Sequence, residues 1–163
     1  IHPRKNIRGM LDAHREYRKR GGKSDLVIVG TAMWRDEHKV TEGVHWVGRL
    51  EDEVLVSAIA GANALLYLPF FEGFGVPVVE AMACGVPVVA SDTSSLPEVC
   101  GGAAAALVDP KDFEGAAQAL LDLENDAVWC KEKSNAGIRR AGDFSWDKSA
   151  EKFSSIISEL LRS

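Results

Sequence analysis

Long apolar runs are missing from this sequence of 163 residues. The longest mostly apolar stretch, residues 62–71, contains Asn63 and Pro69 and is too short to span a bilayer. The basic start, residues 1–22, has no apolar core of the length that a secretory signal requires. We therefore predict neither a transmembrane helix nor a signal peptide in this sequence.

Cysteine and metal-ligand patterns are also scarce. The three cysteines, Cys84, Cys100 and Cys130, are odd in number and widely spaced, and no two of them form a Cys-x-x-Cys pair. This pattern argues against a disulfide framework or a zinc site, and it predicts the reduced thiols of an intracellular protein. The histidines show no metal-ligand spacing either. They are His2, His14, His38 and His45.

The net charge of −5 is unevenly distributed. Residues 1–23 hold eight Lys or Arg against two acids, whereas the rest holds 11 against 22. The overall acidity argues against a nucleic-acid-binding protein, while the basic start leaves room for a local anion site. The basic residues near the end of the first predicted helix suit its dipole, and a membrane-surface role is the alternative.

Composition and periodicity predict one soluble α/β domain, because 46% of the residues are hydrophobic and 26% are charged. Apolar runs that alternate with helical patterns indicate a Rossmann-like, doubly wound parallel sheet with helices on both faces. Such a sheet normally opens on a strand, so we expect a first strand before residue 1. The predicted strands are 26–29, 44–47, 64–68, 88–90 and 104–108. The predicted helices are 6–20, 51–61, 77–84, 111–123, 127–140 and 146–161.

The loop 69–76 carries the most specific chemistry. Ligands of such sheets bind at the carboxyl ends of the strands, and this loop joins a predicted strand to a helix. Gly73 and Gly75 let the backbone approach a ligand, and the N-terminus of the next helix favours an anion such as a diphosphate. Glu72 and Glu80 bracket this anion site. Because carboxylates accept hydrogen bonds from paired hydroxyls, they suggest a sugar on one side and a ribose on the other.

The stretch from Glu72 to Glu80 resembles the Glu-x7-Glu motif of retaining nucleotide-sugar glycosyltransferases of family 4, which have the two-domain GT-B fold. Residues 3–6 resemble the phosphate-binding Lys-Asn turn of that family, and residues 47–50 resemble its segment beside the base. Further segments with counterparts in the family are 26–30, 91–92, 96–99, 108–110 and 144–146. The resemblance covers nearly the whole chain.

The resemblance implies a role for each matching residue. Lys5 and Glu72 would be the catalytic residues: Lys5 would neutralise the diphosphate leaving group, and Glu72 would bind hydroxyls of the donor sugar. Glu80 would bind the ribose hydroxyls. Further donor-binding positions are the loop and helix start at Gly73, Phe74, Gly75 and Val76, and the base neighbours Arg49 and Leu50.

The resemblance further implies that residues 1–163 form the donor-binding domain, the C-terminal half of a GT-B fold. An N-terminal acceptor domain would lie outside this sequence. The expected donor is a UDP- or GDP-sugar, GDP-mannose among them, with no metal or other cofactor required. The expected acceptor is a glycan or a lipid-linked glycan. We expect a cytoplasmic enzyme, with the inner face of the membrane as an alternative location, and an isolated chain that transfers nothing.

Two alternatives remain open from the sequence. The first is a related GT-B enzyme, such as a nucleotide-sugar epimerase or a glycogen synthase. The second is a non-catalytic flavodoxin-like or receiver-like module. That second interpretation expects acidic metal-binding residues at strand ends and offers no reason for the sequence Glu-Gly-Phe-Gly at positions 72–75.

Overall fold

The computed structural model of the protein describes residues 2–31 and 41–162. Strands and helices alternate along most of the chain. The strands are β1 (Leu26–Val29), β2 (Val44–Gly48), β3 (Leu65–Tyr67), β4 (Val88–Ser91) and β5 (Ala106–Val108). The α-helices are α1 (Ile7–Lys19), α2 (Asp52–Ala60), α3 (Val76–Ala83), α4 (Leu96–Cys100), α5 (Phe113–Asn125), α6 (Ala127–Ala141) and α7 (Trp146–Leu160). A short 3-10 helix, Pro3–Lys5, precedes α1.

All strand pairs of the described chain are parallel, and they form two hydrogen-bonded sheets. One sheet contains β1 and β2, and the other has the order β3-β4-β5. In the larger sheet Tyr67 pairs with Ala90, and Ala90 pairs with Leu107. Parallel sheets flanked by helices confirm the predicted fold class, although the strands divide into two sheets instead of one. The strand expected before residue 1 lies outside the sequence and stays a prediction.

Helices cover both faces of the larger sheet, as the continuous apolar strands predict. All four residues of β4 are buried. Because side chains alternate along a strand, Val88 and Ala90 join a core with α3, α4 and α6. Val89 joins the other core, in which α1 and α5 pack together with Ile28 of β1. This second core contains residues of both sheets and so connects them.

Each predicted element is present, with boundaries that differ by one or two residues. Two elements were missed: the 3-10 helix Pro3–Lys5 and α4. Both are short and carry a proline at their start, where the ring suits the first helical turn but the apolar periodicity is too brief to register. Helix α3 starts at Val76, one residue earlier than predicted. His38 lies within residues 32–40, outside the described residues.

Asn6 connects three parts of the fold. Its backbone is left-handed, with a φ of 53°, and its side-chain oxygen caps α1 by accepting a hydrogen bond from the amide of Gly9 at 3.2 Å. Its side-chain nitrogen donates to the carbonyls of Leu68 at 2.8 Å and Pro110 at 2.7 Å. Asn6 is buried. The start of α1 is thereby fixed to the ends of β3 and β5.

Replacing this amide by a carboxylate distinguishes the contribution of the helix cap from that of the two donated hydrogen bonds. Asn6→Asp keeps a capping oxygen and a side chain that tolerates the left-handed backbone, but it loses the donor to Leu68 and Pro110. We expect a loss of about 2–4 kcal/mol in the free energy of unfolding, because two buried carbonyls lose their partner. Urea denaturation measures this loss.

The control is Ser145→Ala, which removes the cap of α7, where the Ser145 hydroxyl accepts from the amide of Lys148. A lost cap alone costs about 1 kcal/mol. A loss in Asn6→Asp no larger than that in Ser145→Ala would contradict the stabilising role of the two donated bonds, and an unchanged stability would show that the amide of Asn6 contributes only a cap.

Candidate active site

The loop between β3 and α3 is shaped by a glycine that tolerates no side chain. Gly75 has a φ of 108°, a conformation that favours glycine. A Cβ atom added there would lie 2.7 Å from Cδ2 of the buried Leu96. A Cβ added at Gly73 would meet no atom within 4 Å, so that position borders open space. The two glycines therefore have different roles, one in packing and one in access.

Two serines from the loop after β4 hold the glycine loop in place. The hydroxyl of Ser94 accepts a hydrogen bond from the amide of Glu72 at 3.0 Å. The hydroxyl of Ser95 lies within donating distance of the carbonyls of Glu72, at 3.0 Å, and Phe74, at 2.9 Å. Ser94 adopts a left-handed backbone with a φ of 52°, which is uncommon for serine. Sequence analysis missed both serines, although their position after a buried strand marks them as loop residues at the carboxyl edge.

The structure brings Lys5 and Glu72 together. Lys5 Nζ forms an ion pair with Glu72 Oε2 and donates to the hydroxyl of Tyr67 at 2.6 Å. That hydroxyl donates in turn to Glu72 Oε2 at 2.5 Å. The amide of Gly73 donates to Glu72 Oε1 at 3.2 Å. A cation, a buried phenol and a carboxylate thus meet at the entrance of the glycine loop.

These contacts shift the pKa of both Glu72 and Tyr67. Partial burial would raise the pKa of Glu72, but the hydrogen bonds from Lys5 and Tyr67, the charge of Lys5 and the Gly73 amide together lower it. Burial, followed by the hydrogen bond to Glu72 and the charge of that group, raises the pKa of Tyr67. At neutral pH Glu72 is therefore an anion and Tyr67 keeps its proton.

Helix α3 begins at the end of the loop, and its first residue is exposed. Val76, its first residue, is 52% exposed, and Glu80 is also exposed. Because residues four apart share one face of a helix, Glu80 lies one turn beyond Val76 on the same face. The amides of Val78 and Val79 donate to the carbonyl of Gly75, and Pro77 has no N–H, so the start of α3 offers a ligand the amide of Val76 and the positive end of the helix dipole.

Phe74 packs against Phe144, which lies near the C-terminal end of the sequence. Its ring is 46% exposed and packs edge-on against Phe144, with 5.6 Å between centroids. The guanidinium of Arg140 lies 4.7 Å from the centroid of Phe144 and donates to the carbonyls of Glu98 and Val99. The segment between α6 and α7 thereby supports the glycine loop and α4 together.

Arg49 and Leu50 follow β2, at the carboxyl edge of the smaller sheet. Arg49 is exposed and Leu50 is partly buried. Within residues 2–31 and 41–162, neither side chain forms a hydrogen bond or ion pair with the glycine loop. The proposed base neighbours therefore follow a strand of the smaller sheet, whereas Tyr67 ends a strand of the larger one.

The described residues contain neither a metal-binding group nor a membrane-spanning helix. In the part of the chain that the structure covers, no group of three or more His, Cys, Asp or Glu side chains is arranged to hold a metal ion. Among the helices described, none combines the length and the apolar content needed to cross a membrane. The three cysteines are free thiols.

Comparison with known proteins places this chain in a family. The model of the family "Glycosyl transferases group 1" matches residues 1–126. The chain therefore belongs to the group 1 glycosyltransferases, as the Glu72 to Glu80 motif predicts.

Two curated proteins illustrate what this chain is similar to. The chain is 38% identical over 159 residues to O-antigen chain mannosyltransferase B of Escherichia coli, a match that covers 90% of this chain and 41% of that protein. It is 25% identical over 169 residues to a GDP-mannose-dependent monoacylated alpha-(1-6)-phosphatidylinositol monomannoside mannosyltransferase of Corynebacterium glutamicum, which covers 95% of this chain and 44% of that one.

Among solved structures, sucrose-phosphate synthase of Thermosynechococcus elongatus superimposes with a TM-score of 0.80 and 24% identity. That match covers 99% of this chain and 43% of the other, and it concerns the fold alone. The structural neighbours are GT-B glycosyltransferases. The chain spans less than half the length of the curated relatives it matches.

The two glycines of the loop give a matched pair of substitutions. Gly75→Ala places a methyl group against Leu96 on a left-handed backbone, so we expect a loss of about 2–4 kcal/mol in the free energy of unfolding. Gly73→Ala adds a methyl group in open space and is expected to change stability by less than about 1 kcal/mol. Chemical denaturation compares the two, and a Gly75→Ala variant as stable as Gly73→Ala would contradict the packing role.

The ion pair of Glu72 predicts a pH dependence of stability. The folded-state pKa of Glu72 is lowered below its ordinary value of 4.5, so its stabilising effect is complete above that value. It is lost as the pH falls through the lowered pKa. We expect Glu72→Gln to be less stable than wild type by about 1–2 kcal/mol at pH 7. The difference should shrink as the pH falls below 4.5 and through the lowered pKa, as followed by thermal unfolding. A difference that is constant with pH would contradict this prediction.

Proposed function

We propose that this chain is the donor-binding domain of a retaining glycosyltransferase. The enzyme would transfer a sugar from a nucleotide-diphosphate sugar to a glycan or lipid-linked acceptor. The observation that carries the proposal is the contact of Lys5 with Glu72 beside the exposed N-terminus of α3. A cation and a helix N-terminus suit a diphosphate, and the carboxylate next to them suits the hydroxyls of an attached sugar.

In the proposed reaction the bond between the anomeric carbon of the sugar and the diphosphate oxygen breaks. Its electron pair stays on the leaving diphosphate, whose growing charge is stabilised by Lys5 and by the dipole of α3. An acceptor hydroxyl forms the new bond on the face that the diphosphate leaves and gives its proton to the departing diphosphate oxygen, so that the configuration is retained. These groups supply the charge stabilisation without requiring a metal ion. No general base is assigned to this domain.

The donor hydroxyls divide between two carboxylates in this proposal. Glu72 would bind the sugar, because it lies beside Lys5 and is fixed by the Gly73 amide. Glu80 would bind the ribose, one helical turn further along α3. The backbone of residues 73–76 would face the sugar and diphosphate, and Arg49 and Leu50 would border the base.

We propose GDP-mannose as the first donor to test, with UDP-sugars as the alternative. The names of both reported relatives describe mannosyltransferases, and the Corynebacterium relative is named as GDP-mannose-dependent. The acceptor would be bound by a part of the enzyme outside these 163 residues, so the chain alone is expected to transfer nothing. A cytoplasmic site of action, at or near the inner face of the membrane, completes the proposal.

Calorimetric titration with GDP, UDP, ADP and their sugars tests the proposal. We expect one nucleotide to bind selectively. Glu80→Ala should weaken its binding by about ten- to a hundredfold, because a charged partner of the ribose is lost, which costs about 1.5–3 kcal/mol.

The matched control is Glu114→Ala, since Glu114 is also an exposed helical glutamate but lies in the first turn of α5. It should bind the nucleotide like wild type. A folded protein that binds none of these nucleotides at millimolar concentration would contradict the proposed function. Binding that is equal in wild type and Glu80→Ala would remove Glu80 from the site. Of the alternatives, binding without any transfer by the full-length enzyme would favour the non-catalytic module.

A further inference from the structure

Tyr67 is the one member of the charged cluster that no sequence motif singles out. Its hydroxyl lies 2.6 Å from Lys5 Nζ and 2.5 Å from Glu72 Oε2. We propose that Tyr67 is a positioning residue of the donor site, whose hydroxyl holds the Glu72 carboxylate in place while Lys5 turns to the diphosphate. The inference rests on the proposed function, because it assigns Lys5 to the diphosphate and Glu72 to the sugar.

The fold fixes the position of this hydroxyl. Tyr67 is the last residue of β3 and pairs in register with Ala90 of β4. Its side chain is 8% exposed and belongs to the core that also contains Val78 and Met82. The phenol oxygen therefore projects from packed core to the carboxyl edge of the sheet. A lysine side chain, in contrast, carries its ammonium group on a flexible stem of four carbons and can change its partner.

The hydrogen bonds of the cluster are directional. The phenol has one proton, which it gives to Glu72, and it accepts from Lys5 with a lone pair. Burial and the neighbouring carboxylate raise the pKa of Tyr67, so this proton stays on the phenol across the working pH range. Tyr67 is thus a permanent donor to Glu72, whereas Lys5 is a shared one.

A bound diphosphate would compete with Glu72 for Lys5. When Lys5 leaves, Glu72 Oε2 keeps the phenol and Oε1 keeps the amide of Gly73. Both carboxylate oxygens then retain a fixed donor, and their remaining lone pairs accept from the sugar. Without the phenol, only the Gly73 amide at 3.2 Å would hold the carboxylate. The expected deficit therefore concerns the sugar more than the diphosphate.

Tyr67→Phe removes the hydroxyl and keeps the buried ring. We expect the full-length variant to bind GDP-mannose about tenfold more weakly than wild type and to bind GDP within threefold of wild type. The pH dependence of GDP-mannose binding should change as well. Loss of the phenol donor raises the pKa of Glu72 towards its ordinary value, so the acid limb should move to higher pH.

The groups around this cluster define what else could titrate. Lys5 and Arg4, from the 3-10 helix, are the charged groups that act on Glu72 and Tyr67 respectively. Ser94 and Ser95, from the loop after β4, bond the backbone of Glu72 and are neutral. Glu72 is the carboxylate that loses a donor in Tyr67→Phe, so a shift of the acid limb between wild type and this variant reports on Glu72.

Tyr17→Phe is the matched control. Tyr17 is the other tyrosine of the sequence, it is 3% exposed, and its hydroxyl likewise donates to a carboxylate, that of Glu124. It also accepts from the amides of Lys23 and Ser24. Its loss should lower the thermal midpoint and leave nucleotide binding and the acid limb unchanged.

Calorimetric titration of wild type, Tyr67→Phe and Tyr17→Phe with GDP and GDP-mannose, from well below the ordinary pKa of 4.5 for the Glu72 carboxyl up to pH 8, tests the inference. If Tyr67→Phe does not fold, Tyr67→Met takes its place, because methionine also lacks a donor and adapts to irregular core space. Its binding of both nucleotides decides by the same criteria. A double-mutant cycle adds Glu72→Gln, in whose background Tyr67→Phe should cause no further loss of GDP-mannose affinity.

Equal losses for GDP and GDP-mannose, or an unmoved acid limb, would assign Tyr67 a merely structural role and overturn the inference. Wild-type affinity for GDP-mannose in the variant would do the same. In each of these cases nucleotide binding by wild type would leave the proposed function standing. Failure of wild type to bind GDP, UDP, ADP or any of their sugars would overturn both.

Discussion

The amide of Asn6 is the constraint on which the site depends. Its nitrogen donates to the ends of β3 and β5, while its oxygen caps α1. Lys5 is the preceding residue, so the position of its backbone is set by these three bonds. Glu72 lies five residues after Tyr67, the last residue of β3. The same amide binds the backbone between them, at the carbonyl of Leu68. One buried side chain therefore determines the distance between the two charges from both directions.

The cluster of Lys5, Tyr67 and Glu72 balances desolvation against pairing. A carboxylate that is partly buried would lose its charge more readily, and a lysine and a phenol reverse that tendency. The glycine loop is restrained in a similar way, by Ser94 and Ser95 on one side and by the ring of Phe144 on the other. Charged groups that are held before a ligand arrives need little reorganisation, which is the basis of electrostatic stabilisation in active sites.

The element order could be predicted from the sequence, because apolar periodicity is a local pattern. The roles of Lys5 and Glu72 come from the family resemblance and stay predictions. The contact between Lys5 and Glu72 spans 67 positions, and nothing local predicts it. Tyr67 looked like any apolar residue of a buried strand, since its hydroxyl matters only where the strand ends. Ser94 adopts a backbone that its residue type disfavours, and α4 has five residues, too few for a periodic signal. These features arise from tertiary contacts.

The division into two sheets has a consequence for how firmly the two ends of the proposed site are held. Every second residue of β1 and β2 is exposed, whereas β4 is buried throughout. Local opening is easiest where few backbone groups are shielded, so the smaller sheet can open without breaking a ladder hydrogen bond of the larger one. Arg49 and Leu50 follow the smaller sheet, while Tyr67 ends a strand of the larger one. Base preference would then be set by the more deformable part of the molecule, and substitutions that stiffen β1 and β2 offer a way to alter it without changing the reacting end.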